Sequence, residues 1–186
     1  EKAKYEGIVF TRVTDSAGLD SARGSRIAWG DYDNDGDDDL LVGGSRLYRN
    51  NKGFFKDVTE EVGLTADGCH GGVWGDYDND GDLDLFCFSS SSDSTKAERL
   101  FRNLGNGRFE DVTARSGDIA DSYSNEAAIW ADLSGDGRLD LYIPGYERPA
   151  KGAGDLGNAW PSRMLIQDSL GAFHDRTVEF GLALPQ

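Results

Sequence analysis

Two histidines, two cysteines, one methionine and four prolines are all that this chain of 186 residues carries of those types. Neither His70 nor His174 lies in a recognisable nucleophile or zinc motif, and the neighbouring Cys69 and His70 are no catalytic pair, because adjacency in a chain is not geometry. Cys69 and Cys87 allow one bridge, but their spacing decides neither whether it forms nor which compartment the protein occupies. No apolar run approaches the roughly 20 residues of a membrane span, which excludes membrane insertion by a helix. The chain opens EKAKYEG, so any secretion signal is expected to be already removed or never present. There is no N-x-S/T sequon and no RGD. Basic residues are also scarce, 19 against 34 acidic, and the net charge of −15 excludes nucleic acid and anionic membrane surfaces as partners.

The acidity is local. Windows 31–39, 76–84 and 132–140 hold 14 of the 34 acidic residues and one basic residue, Arg138. Carboxylates this dense repel one another unless a cation compensates them.

Those windows belong to an internal repeat. IAWGDYDNDGDDDLLVGG (27–44) recurs as GVWGDYDNDGDLDLFCF (72–88) and AIWADLSGDGRLDLYIPG (128–145). Each copy is followed by an apolar-basic run, RLYRN (46–50), RLFRN (99–103) or RMLIQ (163–167), and then by a Phe-led segment, 55–64, 109–118 or 173–182. A fourth Phe-led segment, FTRVTDSAGL (10–19), stands alone. Short runs rich in Val, Ile, Phe, Tyr and Trp between Gly/Asn/Asp turns read as strands. The fold class is therefore all-β: three four-stranded antiparallel units of the β-propeller blade type, with an extra N-terminal strand. A sandwich of short strands is the alternative. The chain reads as one repeat domain over 1–186, with the extra strand at 10–19 and blades at 27–64, 72–118 and 128–182. Trp29, Trp74 and Trp130 recur before each acidic loop and read as core. Arg49 and Arg102 read as braces of the blade.

The acidic loops have the spacing of a metal site. Asp31, Asp33, Asp35 and Asp39 recur as Asp76, Asp78, Asp80 and Asp84, with glycine at the sixth position for the sharp turn. Ca²⁺ takes six to eight oxygen ligands, and alternate carboxylates on a tight loop supply them. Asp37 and Asp82, at position 7, would contribute backbone carbonyls. The third loop keeps Asp132, Asp136 and Asp140, but Ser134 replaces the carboxylate at position 3 and Arg138 stands at position 7, offering only its carbonyl. The expectation is two strong Ca²⁺ sites and a weaker third that fills last. An EF-hand is excluded, since position 12 is Val42, Cys87 or Ile143 instead of Glu. Mg²⁺, which keeps its waters, suits such loops less well.

WGDYDNDGDLDLF, RLFRNLGNGRFEDVT and the Gly-Leu that follows the Phe-led segments resemble FG-GAP/VCBS-type repeats over about residues 10–182. The resemblance implies calcium-binding propeller blades, like those of integrin α-subunit heads, and a role in adhesion or recognition. It names no ligand. Ser134 and the low blade count depart from the pattern.

Three blades fall short of the four to eight of a closed propeller. The chain would then be part of a longer propeller, pair with copies of itself through an open sheet edge, or form an open array. The connections at 89–98 and 146–162 are long and lie at the end of the blades opposite the acidic loops. The second offers Tyr146, Arg148 and Trp160 as partner-binding residues for a protein or glycan. Because free calcium is millimolar outside cells, the expected location is extracellular, secreted or on the cell surface. The expected function is a non-catalytic calcium-binding module for adhesion, recognition or self-assembly. The alternative is an enzyme, or an accessory domain of a secreted polysaccharide-acting enzyme, for which a pocket joining Glu98, Glu126 or Asp155 would speak.

Overall fold

A computed structural model describes residues 10–64, 69–89, 98–120, 125–145, 147–148, 158–159 and 161–182. Apart from one 3₁₀ turn at Thr113–Arg115, the regular structure among them is strand. Blade 1 consists of β1 (Ile27–Gly30), β2 (Asp39–Val42), β3 (Arg46–Asn51) and β4 (Phe54–Asp57). Blade 2 consists of β5 (Gly71–Gly75), β6 (Asp84–Phe88), β7 (Arg99–Asn103) and β8 (Phe109–Asp111). In the third, β9 (Ile129–Ala131) and β10 (Asp140–Ile143) are followed by a small ribbon of β11 (Glu147–Arg148) and β12 (Asn158–Ala159). Then come β13 (Arg163–Gln167) and β14 (Phe173–Asp175). Each blade is antiparallel, with its strands side by side in chain order. The first strands succeed one another, β1 beside β5 and β5 beside β9, so the blades stack in sequence.

Burial follows from this stacking. The second strand of each blade is apolar on both faces, and every residue of β2 and β6 is buried. One apolar cluster joins blades 1 and 2 through Leu41, Leu47, Val62, Leu85 and Phe109. Another joins blades 2 and 3 through Phe86, Leu100, Ile119, Leu141 and Phe173.

Two polar devices repeat at these junctions. The turns after β4 and β8, and the turn at 14–18, each offer a carbonyl to the blade that follows: Phe55 N–H donates to Ala17 (2.8 Å), Phe109 N–H to Val62 (2.7 Å) and Phe173 N–H to Ser116 (3.0 Å). The glycine beside each carbonyl, Gly18, Gly63 or Gly117, has positive φ and lies against the backbone of that Phe, where a side chain has no room at Gly18 and Gly117 and is tightly crowded at Gly63. The third strand of the next blade also reaches back. Asn103 Nδ2 donates to the Tyr32 carbonyl (2.8 Å) and Gln167 Nε2 to the Tyr77 carbonyl (3.0 Å).

Three expectations are corrected. Residues 10–19 form turns and coil, not a strand, although they keep the Phe-led pattern. A strand needs a ladder partner, and among the described residues none pairs with this segment. It instead lays Ala17 and Leu19 against Leu40, Val42, Tyr48 and Phe55 of blade 1. Second, the fourth strands end early: only Phe173–Asp175 of 173–182 is strand, and the remainder forms the junction turn. Third, Trp29 is not core. It is 52% exposed, whereas Trp74 and Trp130 are partly buried against the preceding blade.

Cys69 and Cys87 are bridged, with Cα atoms 5.6 Å apart and 18 residues of separation. The whole second acidic loop lies inside the ring they close. Blade 1 makes the same contact without sulfur, Gly24 lying against Val42.

Candidate metal centres

The first two acidic loops are built identically from their own carboxylates. Asp31 accepts the N–H groups of Asp35 (3.0 Å) and Gly36 (2.9 Å), and Asp76 those of Asp80 and Gly81 (both 3.0 Å). Those bonds need a tightly coiled backbone. Gly36 and Gly81 have φ of 93°, and Asn34 and Asn79 stand at 56° and 59°, a region that Asn tolerates better than most side chains. The asparagine at position 4 is thus a second turn determinant, legible in the repeated DYDNDGD and missed in favour of the glycine.

Position 9 anchors each loop to its sheet. Asp39, fully buried, accepts Asn50 N–H (2.7 Å) and Tyr32 N–H (3.1 Å). Asp84 likewise accepts Asn103 N–H (2.8 Å) and Tyr77 N–H (3.0 Å). Position 7 turns its side chain outward: Asp37 accepts Lys52 N–H (3.0 Å), and Asp82 accepts Asn34 Nδ2 of the neighbouring loop (2.7 Å).

Positions 1, 3 and 9 converge. Asp31, Asp33 and Asp39 bring one carboxylate oxygen each within 4.8 Å of one another, and Asp76, Asp78 and Asp84 do the same. Asp33 Oδ1 and Asp78 Oδ1 are buried without a hydrogen-bond donor. Asp35 and Asp80, at position 5, stay outside these triads. Desolvation and neighbouring carboxylates push Asp33 and Asp78 above the ordinary carboxylate range. Burial is the larger cause at position 9, where Asp39 rises to about 6 and Asp84 to about 7. The second loop has a partial counter-ion, since Arg102 places Nε 2.7 Å from Asp78 Oδ2 and a terminal nitrogen 3.4 Å from Asp80 Oδ2. Arg102 thus ties β7 to the acidic loop of its own blade, the brace expected of it, through two of the candidate ligands.

The donor sets fit a hard divalent cation. Each triad offers only oxygens, carries like charge in a partly dry pocket, and leaves one buried oxygen unsatisfied. Asp132, Asp136 and Asp140 of the third loop do not converge in this way, and Asp132 and Ser134 are exposed.

Tyr146 and Trp160 lie outside the described residues, and Arg148 contributes backbone to the β11–β12 ribbon. At the end of the blades opposite the acidic loops, an open cavity of about 250 Å³ is lined by Arg26, Ile27, Val73, Phe88 and Glu126. Glu126 is ion-paired there with Arg26. Glu98 is buried and accepts Asn125 Nδ2 (2.6 Å), and Asp155 lies outside the described residues.

Comparison with known families agrees with the repeat. A family model described as an FG-GAP-like repeat matches residues 43–87 and again 88–143, together more than half of the chain. Each match takes the last two strands of one blade and the first two of the next, so it is staggered against the structural blades by half a unit. No curated protein matches the chain.

Proposed function

The chain belongs to the FG-GAP-like repeat family, and from that premise we propose that it is a non-catalytic, calcium-stabilised recognition module of β-propeller type that works outside the cell. The observation that carries the proposal is the buried, donorless oxygen at Asp33 Oδ1 and Asp78 Oδ1, each inside a converging carboxylate triad.

Asp31, Asp33 and Asp39 would hold one cation, and Asp76, Asp78 and Asp84 a second. Asp35 and Asp80 lie beside them, and the Asp37 and Asp82 carbonyls are left for the loop by their outward side chains. The cation would supply positive charge where the chain has stacked negative charge. Asp39 and Asp84 then transmit the order of each loop to the third strand through Asn50 and Asn103. Extracellular modules of this chemistry bind Ca²⁺ at about 10⁻⁴–10⁻³ M, and the Cys69–Cys87 bridge suits an oxidising compartment.

A rigid scaffold leaves recognition to the opposite end, where the Arg26–Glu126 cavity lies. The partner class is a protein or glycan. Head-to-tail pairing of copies is opposed by Ala131, which stands where Gly30 and Gly75 receive the next blade's Trp.

Thermal unfolding with millimolar Ca²⁺, with Mg²⁺ and with chelator tests the reading. Calcium at a hundred times its Kd should add about 2.7 kcal/mol per site, and Asp33→Asn and Asp78→Asn should each remove one site's share. A melting temperature indifferent to calcium and to both substitutions would sink the proposal.

A further inference from the structure

We infer that the third acidic loop takes no divalent cation, because Arg138 supplies its positive charge from within the chain. The inference rests on the cation reading of the first two loops and concerns where the third disagrees with it.

The three loops share a frame and differ in what remains free. Asp31 and Asp76 each accept two backbone N–H groups, whereas Asp132 accepts three: Gly135 (2.7 Å), Asp136 (3.0 Å) and Gly137 (2.9 Å). At position 9 all three loops share the Oδ1 bond from the third strand, but Asp39 Oδ2 accepts Tyr32 N–H alone and Asp84 Oδ2 Tyr77 N–H alone, whereas Asp140 Oδ2 accepts both Leu133 and Ser134 N–H at 2.8 Å. Asp132 and Asp140 thus each carry one backbone donor more than their counterparts in the first two loops, at lone pairs that a cation would need.

Position 3 completes the contrast. Asp33 and Asp78 hold buried oxygens without a donor, and Ser134 is exposed and brings no carboxylate. The remaining carboxylate, Asp136, accepts the Arg138 N–H on Oδ1 (3.0 Å), as Asp35 and Asp80 accept those of Asp37 and Asp82, but its Oδ2 is closed by the Arg138 guanidinium from within the same loop. A guanidinium keeps its charge at all working pH values and cannot be chelated. The third loop is therefore a clasp that holds its shape at cation levels where the other two relax, and blade 3 is the cation-independent end of the chain.

Calcium titration by calorimetry on the full chain should give two equivalents. Ser134→Asp/Arg138→Asp, which restores the residue types of the first two loops at positions 3 and 7, should gain a third. Hydrogen exchange on the unaltered chain needs no folded variant: adding calcium to chelated protein should protect the Gly36 and Gly81 amides and leave Gly135 and Gly137 unchanged. Three equivalents for the unaltered chain, or calcium-dependent protection at Gly135 and Gly137, overturn the inference. A double variant that folds and still binds two overturns the roles given to Ser134 and Arg138. No binding at all overturns instead the reading of the first two loops, and with it the contrast drawn here.

Discussion

Trp74 of blade 2 occupies the space that a side chain at Gly30 of blade 1 would need: a Cβ there would fall 2.8 Å from Trp74 Cδ1. The relationship repeats one blade on, where a Cβ on Gly75 would fall 2.6 Å from Trp130 Cδ1. Glycine ahead of each acidic loop is thus the receiving half of a blade junction, and the Trp is the entering half. Among the described residues Trp29 enters no such junction and is half exposed, and Ala131 receives no ring.

Gly30→Ala and Gly75→Ala should therefore destabilise the chain by about 1–3 kcal/mol each, the usual range for overfilling a packed contact. Ala131→Gly should change stability by less than about 1 kcal/mol, the backbone term alone. Urea unfolding of the three variants measures this. Equal, small losses at all three positions would show that the Trp rings move aside freely and that the junction is not close-packed.

The metal-free protein should lose stability as pH rises. Asp84 titrates near 7 and Asp39 near 6 because burial disfavours their charge, while in the unfolded chain both release protons near pH 4. Between about pH 4 and 7 the folded state holds more protons than the unfolded one, so the stability gained from keeping these groups neutral fades through that window. Under saturating calcium the cation replaces the proton and the trend should flatten or reverse. Melting temperatures at pH 5 and pH 8, in chelator and in calcium, decide the point. A chelated protein that grows steadily more stable from pH 5 to 8 contradicts it.

What could be read from the chain beforehand was whatever lies within one turn or one repeat. The acidic loops, the glycine at position 6 and the four-strand unit are local patterns, and the structure keeps all three. Residues 10–19 misled because they share the Phe-led pattern with real strands, yet a strand also requires a partner that the pattern does not encode. Trp29 misled for a related reason: it recurs with Trp74 and Trp130, but burial depends on a neighbouring blade and not on the residue. Arg102 was read as a brace, but the carboxylates it reaches were not legible, since Asp80 and Asp78 lie 22 and 24 residues away in sequence. The Cys69–Cys87 pairing was open because nothing in the sequence says that residue 69 returns to lie beside β6.

Breaking that bridge should expose how much it contributes. Closing a loop of this length restrains the unfolded chain by about 3 kcal/mol, and the ring contains the second loop from Asp76 to Asp84. Cys69→Ser/Cys87→Ser should lose about 2–4 kcal/mol and should also weaken cation binding at the second loop while sparing the first. Unfolding and calcium calorimetry on the same variant separate the two effects. If both sites weaken equally, the bridge acts on the whole chain and not on the loop it encloses.

Arg102 makes the two candidate centres unequal. Its guanidinium rests on Asp78 and Asp80, whereas Arg49, in the same place on β3, only neighbours Asp33. A cation entering the second loop must displace or share that charge, so the second centre should be the weaker of the two. Arg102→Gln removes the competitor. In chelator it should cost no more than about 1 kcal/mol, because the pair is partly exposed. With calcium present, the weaker site should tighten by about three- to tenfold, the binding equivalent of roughly 0.7–1.4 kcal/mol. Arg49→Gln should change the stronger site less. Unfolding in chelator reads the first of these numbers, and calcium calorimetry on the two variants and the parent reads the other two. An unchanged weaker site in Arg102→Gln would mean that the guanidinium leaves without cost, and the inequality of the two centres would need another origin.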